Sequence, residues 1–188
     1  MVETVIQQFQ QRVLDNIDEF TKGMIHGDYN EQNILVGKVG DDYKVTGILD
    51  FGDTNYSCFL FELAIAMTYM MLTSGEIETG GLFLAGYKMT RLIPENELKV
   101  LKVIEFNQLV LLVFSNLSSS YQLCCCARLC QSLVLGLYSH LTDSDNDYLL
   151  TTQKAGWKLL ETLYTKTDNE VINIWNSVSD EYLSQSLK

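Results

Sequence analysis

The sequence predicts an α+β fold that is mostly α-helical and carries one β-hairpin near its N-terminus. Apolar residues recur at helical spacing over residues 2–21 and over most of the chain beyond residue 56. Between these regions, two β-prone runs at 34–36 and 43–49 flank a link with two glycines and two aspartates. No internal repeat or low-complexity linker divides the 188 residues, so we expect one domain.

The composition, with 47% hydrophobic and 20% charged residues, is that of a globular protein with a real core. A net charge of −11 disfavours nucleic acid and anionic membranes as partners and gives slight support to a cationic substrate. The acidic, amphipathic N-terminus lacks the apolar core of a signal peptide. The longest apolar stretch, residues 57–72, is short for a bilayer span and contains Glu62. We therefore expect a cytoplasmic protein with no membrane and no nucleic-acid partner.

The five cysteines form a poor disulfide framework, because their number is odd and three of them are adjacent. This usage indicates a reducing compartment. A metal site built from the cysteines is disfavoured, since the chain has only two histidines and no C-x-x-C pair around the cluster at 124–126. We interpret the cysteines as small apolar residues buried on a helix.

Residues 24–53 contain two polar clusters in an otherwise apolar setting. A single predicted helix over 2–21, ended by Gly23, leads into them; its apolar stripe consists of Val5, Phe9, Val13, Ile17 and Phe20. The first cluster is the tripeptide 26–28 followed by Asn33, and the second is the tripeptide 50–52. A hairpin fixes its two ends side by side, so it places Asp28 and Asn33 next to Asp50.

This convergence of two carboxylates and one amide oxygen predicts a phosphoryl-transfer site. Such chemistry needs a carboxylate to orient and deprotonate the attacking hydroxyl, and hard oxygen ligands for Mg²⁺ on the nucleotide phosphates. A metal-dependent hydrolase that uses two aspartates is the weaker alternative. It does not explain the spacing from Asp28 to Asn33 or the Asp-Phe-Gly sequence at 50–52.

The remainder of the chain predicts a series of helices. Residues 56–72 predict a buried helix, followed by a polar break at 73–81 and a short helix over 82–92. Pro94 marks the start of a helix to residue 117, in which Glu105 either meets a substrate ammonium or faces solvent. Further helices are predicted over 123–140, over 148–164 and from 168 to 175, and residues 118–122 are either a break or a continuing helix. The acidic run 142–147 lacks the glycine and distal glutamate of a calcium loop and is interpreted as a solvated loop.

The pattern His-Gly-Asp-x-x-x-x-Asn at 26–33, followed by Leu-Asp-Phe-Gly at 49–52, resembles the aminoglycoside phosphotransferase and choline kinase-like family of small-molecule kinases. Motif-level agreement extends over residues 24–72. The resemblance implies the C-terminal lobe of a protein kinase-like fold. Its parts are a catalytic loop at 24–33, a β-hairpin at 34–50 and a helical substrate subdomain at 56–188.

The resemblance also implies an activity and three central residues. The γ-phosphoryl group of GTP or ATP would pass to the hydroxyl of a small cationic metabolite, 5-hydroxy-L-lysine, with choline, ethanolamine or an aminoglycoside as alternatives. Asp28 is expected to be the catalytic base that aligns this hydroxyl. Asn33 and Asp50 are expected to bind Mg²⁺ and, through it, the nucleotide phosphates.

Three further polar residues are expected to support the site. His26 would hold the loop through hydrogen bonds and take no part in the chemistry. Glu62 stands where related kinases carry an aspartate that holds the catalytic loop from behind. Asp53 is either a third polar group at the site or a turn residue that caps the following segment.

Few residues precede His26, so the N-terminal nucleotide lobe of such a kinase is expected to be absent. The surface that would face this lobe is expected to be apolar and to favour self-association. The alternative to a kinase is therefore a truncated, non-catalytic binding or regulatory fragment.

Overall fold

A computed structural model describes residues 1–91, 108–142, 150 and 152–186 of the chain. Within these residues it contains six α-helices and two antiparallel, two-stranded sheets. The helices are α1 Val2–Arg12, α2 Phe59–Ser74, α3 Glu78–Thr90, α4 Gln108–Thr142, α5 Gln153–Thr165 and α6 Asp168–Ser186. The strands are β1 Lys22–Ile25, β2 Ile34–Val39, β3 Asp42–Ile48 and β4 Asn55–Cys58. The predicted α+β class with mostly helical content is confirmed.

The strands β2 and β3 pair antiparallel over the region to which the sequence assigned a hairpin. Ile34 lies opposite Ile48, and the register shifts once, between Leu35 and Val36. The turn is tighter than the predicted link at 37–42, because residues 37–39 continue β2 and pair with 42–44. The positive φ of Gly40 (66°) permits this tight connection.

The pairing of β1 with β4 corrects the sequence analysis, which placed residues 56–58 inside a helix and predicted no strand at 22–25. Here Ile25 lies opposite Asn55, and Lys22 opposite Cys58. Strands of four residues are too short to show the alternation by which a strand is recognised. The sheet brings the two ends of segment 26–54 together at the front of α2, which begins directly after β4.

The predicted helix over 2–21 ends early, at Arg12. A 3₁₀ segment, Leu14–Glu19, follows, and Asn16 within it has a non-helical backbone with φ −118° and ψ 22°. The side-chain amide of Asn16 donates to the carbonyl oxygen of Gln11 at 3.0 Å. Asparagine competes in this way for backbone groups, which disfavours a continuous helix.

The core is centred on α2, which has buried residues on nearly every face, including Leu63 and Met67. The long helix α4 packs against α1, α2, α5 and α6. Close packing of α3 against α6 depends on Gly81, where a Cβ would lie 2.7 Å from the carbonyl oxygen of Trp175. The indole N–H of Trp175 in turn donates to the carbonyl oxygen of Ile77 at 2.8 Å.

The later helices depart from the predictions mainly at their ends. The predicted break at 73–81 is shorter, because α2 runs to Ser74 and α3 begins at Glu78; Gly75, with φ 76°, ends α2. Residues 118–122 continue a helix within α4. α5 begins at residue 153, later than predicted, and α6 runs past residue 175 to 186. Pro94, Glu105 and the acidic residues 143–147 lie outside the described residues.

All five cysteines are buried with free thiols, four of them on α4. Burial raises the pKa of the Cys125 thiol to about 12, so this group stays protonated at neutral pH. No helix in the described part of the chain combines the length and hydrophobicity that a membrane crossing requires.

Candidate active site

The loop between β1 and β2 is attached to α2 through the carboxylate of Glu62. Its Oε1 accepts the backbone N–H of His26 at 3.0 Å, and its Oε2 accepts that of Gly27 at 2.9 Å. These peptide groups follow the last residue of β1, so they need acceptors from outside the sheet. Hydrogen bonds to an ionised carboxylate are the stronger kind. Glu62 therefore fixes the start of the loop to the core.

The His26 side chain, only 8% exposed, connects the loop to the end of β3. Its Nε2 lies 2.8 Å from the carbonyl oxygen of Leu49, and its Nδ1 lies 3.3 Å from the backbone nitrogen of Asp28. Both contacts are satisfied when Nε2 donates to Leu49 and Nδ1 accepts from Asp28. The ring also packs against Phe51, with 5.0 Å between ring centroids. Both nitrogens of His26 are therefore engaged in holding the two polar segments together.

Gly27 lets the loop pass directly beneath the turn after β3. Its φ is +85°, and a Cβ at this position would lie 2.5 Å from the carbonyl oxygen of Asp53. Asp53 is exposed, and its carbonyl oxygen accepts a hydrogen bond from the side chain of Asn55 at 2.7 Å. Gly27 thus meets both requirements that only glycine satisfies, left-handed backbone and close approach.

The residues Asp28 and Asn33 are joined by direct hydrogen bonds. Asn33 Nδ2 donates to Asp28 Oδ2 at 3.1 Å and to the Asp28 carbonyl oxygen at 2.9 Å. Asn30 Oδ1 caps the intervening 3₁₀ turn, Glu31–Asn33, by accepting the backbone N–H groups of Gln32 and Asn33. Because Nδ2 of Asn33 is directed at Asp28, its Oδ1 is the atom left to coordinate a cation.

Asp50 follows β3 in a strained backbone conformation. Its φ of 57° is the one positive value found at a non-glycine residue in the described ranges. Such strain is often stored at functional sites. The N–H of Leu49 donates to the carbonyl oxygen of Asn33 at 2.9 Å. Asp50 is the next residue after Leu49, so this backbone hydrogen bond holds it close to Asn33. The Asp50 side chain is exposed, and its Oδ1 accepts the N–H of Gly52 at 3.3 Å.

The donor set of Asn33 and Asp50 fits a magnesium–nucleotide complex. Mg²⁺ prefers oxygen ligands and is commonly bound by one or two protein side chains together with phosphates and water. The Asn33 amide oxygen and the exposed Asp50 carboxylate supply such ligands. Among the residues described, no three His, Cys, Asp or Glu side chains cluster as an all-protein metal cage would require.

Arg128 of α4 is a polar neighbour of Asp28 that the sequence analysis missed. Its Nη2 donates to Asp28 Oδ1 at 3.0 Å and to the hydroxyl of Tyr69 at 3.1 Å. The two side chains of this ion pair are only 21% and 26% exposed. Arg128 is the sole Asp, Glu, Lys or Arg within α4, and a lone charge in an apolar helix was the signal available in the sequence.

A cavity of about 340 Å³ opens beside this ion pair. Its walls include Asp28, Glu31, Asp53, Tyr69 and Arg128, drawn from the loop, the turn after β3, α2 and α4. Asn33 and Asp50 do not line it. Asp28 thus lies between Asn33 on one side and the cavity on the other. A volume of this size suits a small metabolite.

Comparison of the sequence with known families places the chain in a known class. The chain belongs to the phosphotransferase enzyme family, whose sequence model matches residues 2–96 and thus includes the whole of segment 26–53. No solved structure matches the chain significantly.

Several curated relatives narrow the similarity to one kind of enzyme. The chain is 35% identical to hydroxylysine kinase of Xenopus laevis over 192 residues, 37% to hydroxylysine kinase of Bos taurus over 191, and 36% to that of Mus musculus over 192. Each alignment covers 98% of this chain and 46% of the relative, so the chain spans about half the length of these proteins. The predicted resemblance to a small-molecule kinase is confirmed at the level of the family.

Proposed function

We propose that the chain carries the acceptor-binding and metal-binding half of a kinase that transfers the γ-phosphoryl group of GTP or ATP to the hydroxyl of 5-hydroxy-L-lysine. The observation that carries this proposal is the direct bond from Asn33 to Asp28, beside a backbone bond that holds Asp50 close to Asn33. The similarity to hydroxylysine kinases supports the acceptor. In this proposal residues 24–33 are the catalytic loop, 34–50 the hairpin and 56–188 the helical substrate subdomain.

Asp28 is proposed to be the catalytic base. Each carboxylate oxygen can accept two hydrogen bonds, and Asn33 and Arg128 use one position on each. A position therefore remains for the acceptor hydroxyl. As that oxygen attacks the γ-phosphorus, the bond from this phosphorus to its bridging oxygen breaks, and the nucleoside diphosphate leaves. The hydroxyl proton passes to Asp28, whose main contribution is alignment in a loose transition state.

Asn33 and Asp50 are proposed to hold Mg²⁺ on the nucleotide. When bound, the ion neutralises charge on the β- and γ-phosphates. Asn33 would contribute its amide oxygen, because its nitrogen already donates to Asp28. Asp50 would contribute its carboxylate, which is exposed and therefore accessible to a bound nucleotide.

His26, Glu62 and Asp53 are proposed to position these three groups. Glu62 holds the backbone at His26 and Gly27, and the His26 ring links Asp28 to the end of β3. Asp53 contributes its carbonyl to the turn beneath which Gly27 passes, and it reaches the rim of the cavity. In this arrangement none of the three transfers a proton in the reaction.

The experiment that tests the proposed function measures nucleoside diphosphate release with Mg²⁺-GTP and Mg²⁺-ATP. 5-Hydroxy-L-lysine is the acceptor, and lysine, which lacks the hydroxyl, is the control. We expect release that depends on the acceptor hydroxyl and exceeds that with choline or ethanolamine. Equal release with lysine would identify nucleotide hydrolysis and would contradict the proposed kinase activity.

One observation favours the second candidate, a non-catalytic fragment that associates with itself. The hairpin carries three strongly exposed apolar side chains on one face, which we call the hairpin face: Val36, Tyr43 and Val45. Exposed apolar patches of this kind mark interaction surfaces. Sedimentation velocity of the chain and of a Tyr43→Ser, Val45→Thr variant decides the matter. Concentration-dependent association that the variant loses, without any turnover, would favour this candidate over the kinase.

A further inference from the structure

The two carboxylate oxygens of Asp28 face different surroundings. Oδ2 accepts from Asn33, on the side proposed to hold the metal, whereas Oδ1 accepts from Arg128 at the cavity of about 340 Å³. An acceptor must reach Asp28 from the side that the nucleotide does not occupy. The cavity, which Asn33 and Asp50 do not line, is therefore the place for the acceptor.

We infer that Arg128 is the specificity-determining residue of this cavity and binds a carboxylate of the acceptor. The inference rests on the proposed kinase function and deepens it, because it assigns the acceptor to the hydroxylated amino acids. A purely cationic amino-alcohol, such as choline or ethanolamine, has no group for this guanidinium. Arginine is the side chain best suited to a carboxylate, since its planar donors match the two oxygens.

The guanidinium retains donors for such a ligand. Of its five N–H groups, two on Nη2 reach Asp28 and Tyr69, and one on Nη1 reaches Gln131 at 3.0 Å. Gln131 is exposed and lies one helical turn away, so its bond is easily exchanged for a charged partner. Nε is buried and has no hydrogen-bond partner among the described residues. A carboxylate at the Nη1 end would thus replace one weak bond and would leave the Asp28 contact in place.

The charges of the cavity match a zwitterion. Arg128 is positive, and Asp28, Glu31 and Asp53 are negative. An acceptor with a carboxylate and an ammonium can satisfy both signs at once, with its carboxylate on Arg128 and its ammonium facing Glu31 and Asp53. A diamine without the carboxylate would satisfy the acidic side chains but would bring no negative charge to the Nη1 end of Arg128. The Tyr69 hydroxyl and the Tyr69 ring, 5.4 Å from the guanidinium carbon, keep Arg128 in position.

Calorimetric binding to this chain tests the inference without requiring turnover. The two ligands are 5-hydroxy-L-lysine and the diamine produced by its decarboxylation, which keeps the hydroxyl and both ammonium groups. We expect the amino acid to bind more tightly than the diamine. Arg128→Gln should weaken amino-acid binding by about 10- to 100-fold, the range for a hydrogen bond to a charged group. The same variant should leave diamine binding unchanged or tighter, and Arg128→Lys should retain part of the preference.

Arg91→Gln is the matched control, since Arg91 stacks on Phe59, is not part of the cavity lining and should leave both affinities unchanged. The inference is overturned if the unmodified chain binds the amino acid no better than the diamine, or if Arg128→Gln weakens both ligands equally. The latter result would mean that Arg128 only positions Asp28. Carboxylate-dependent binding without phosphoryl transfer would refute the proposed kinase while leaving the inference intact. Transfer to the diamine at the same rate as to the amino acid would refute the inference and leave the proposed kinase intact.

Discussion

Replacement of Glu62 by alanine should detach the loop 26–33 from α2. The change removes two charge-assisted acceptors, at 3.0 Å and 2.9 Å, and leaves the N–H groups of His26 and Gly27 without partners in a half-buried place. Each lost partner of this kind costs roughly 1–2 kcal/mol after partial access to water is allowed for. We therefore expect the free energy of unfolding to fall by about 2–4 kcal/mol.

Urea unfolding followed by circular dichroism measures the change in stability, and hydrogen exchange reports the two amides directly. Glu161→Ala on α5 is the matched control, because its side chain is exposed and it should change stability by less than about 0.5 kcal/mol. Glu62→Gln keeps one oxygen acceptor and should lie between the control and the alanine variant. The reasoning is refuted if Glu62→Ala costs no more than the control, or if the two amides exchange at unchanged rates.

Three further predictions concern the backbone, the core and the thiols. An alanine in the left-handed conformation costs about 1–2 kcal/mol in backbone strain, and Gly40→Ala, in open space, should cost only this strain. Gly27→Ala should cost more, because its Cβ would also clash with the carbonyl oxygen of Asp53. Trp175→Phe should cost about 0.5–1.5 kcal/mol in urea unfolding through the lost indole bond, since the Ile77 carbonyl keeps the N–H of Gly80 at 3.2 Å. Cys125, whose raised pKa favours the protonated thiol in the fold, should contribute constant stability below pH 9 and lose it as pH rises towards about 12.

Each of these three has a contrary result. Equal destabilisation by the two glycine variants would show that the close approach of the Asp53 carbonyl adds nothing to the cost of Gly27→Ala. Unchanged stability of Trp175→Phe would show that the indole bond contributes nothing net. A Cys125→Ala variant should lose part of the alkaline decline in stability, and an identical pH profile would assign that decline to other groups.

The antiparallel pairing of β2 and β3 could be predicted from the sequence, because two β-prone runs flank a link rich in turn residues. Asp28, Asn33 and Asp50 are close in the chain, and a hairpin determines which of its residues lie together. The buried helix around Glu62 could be predicted equally well, since its apolar run is long. Local pattern therefore predicts the hairpin and the buried helix, and the roles of Asp28, Asn33 and Asp50 stay predictions.

The remainder depends on contacts between distant parts of the chain. Arg128 lies 100 residues from Asp28, and no local pattern reports that α4 brings them together. The sheet of β1 and β4 has strands of four residues, too short for a periodic signal. The end of α1 was missed because the apolar spacing continues past the point where Asn16 interrupts the helix.

The central claim, that Asp28 aligns and deprotonates an acceptor hydroxyl, is tested most directly by the rate at which phosphohydroxylysine forms. Mass spectrometry of the acceptor gives this rate for the chain, for Asp28→Asn and for Asp41→Asn, the last being an exposed aspartate of the hairpin turn. We predict formation by the unmodified chain and by Asp41→Asn, and a loss of about 10²- to 10⁴-fold in Asp28→Asn. Formation at an undiminished rate in Asp28→Asn, or its absence in all three proteins, would contradict the claim.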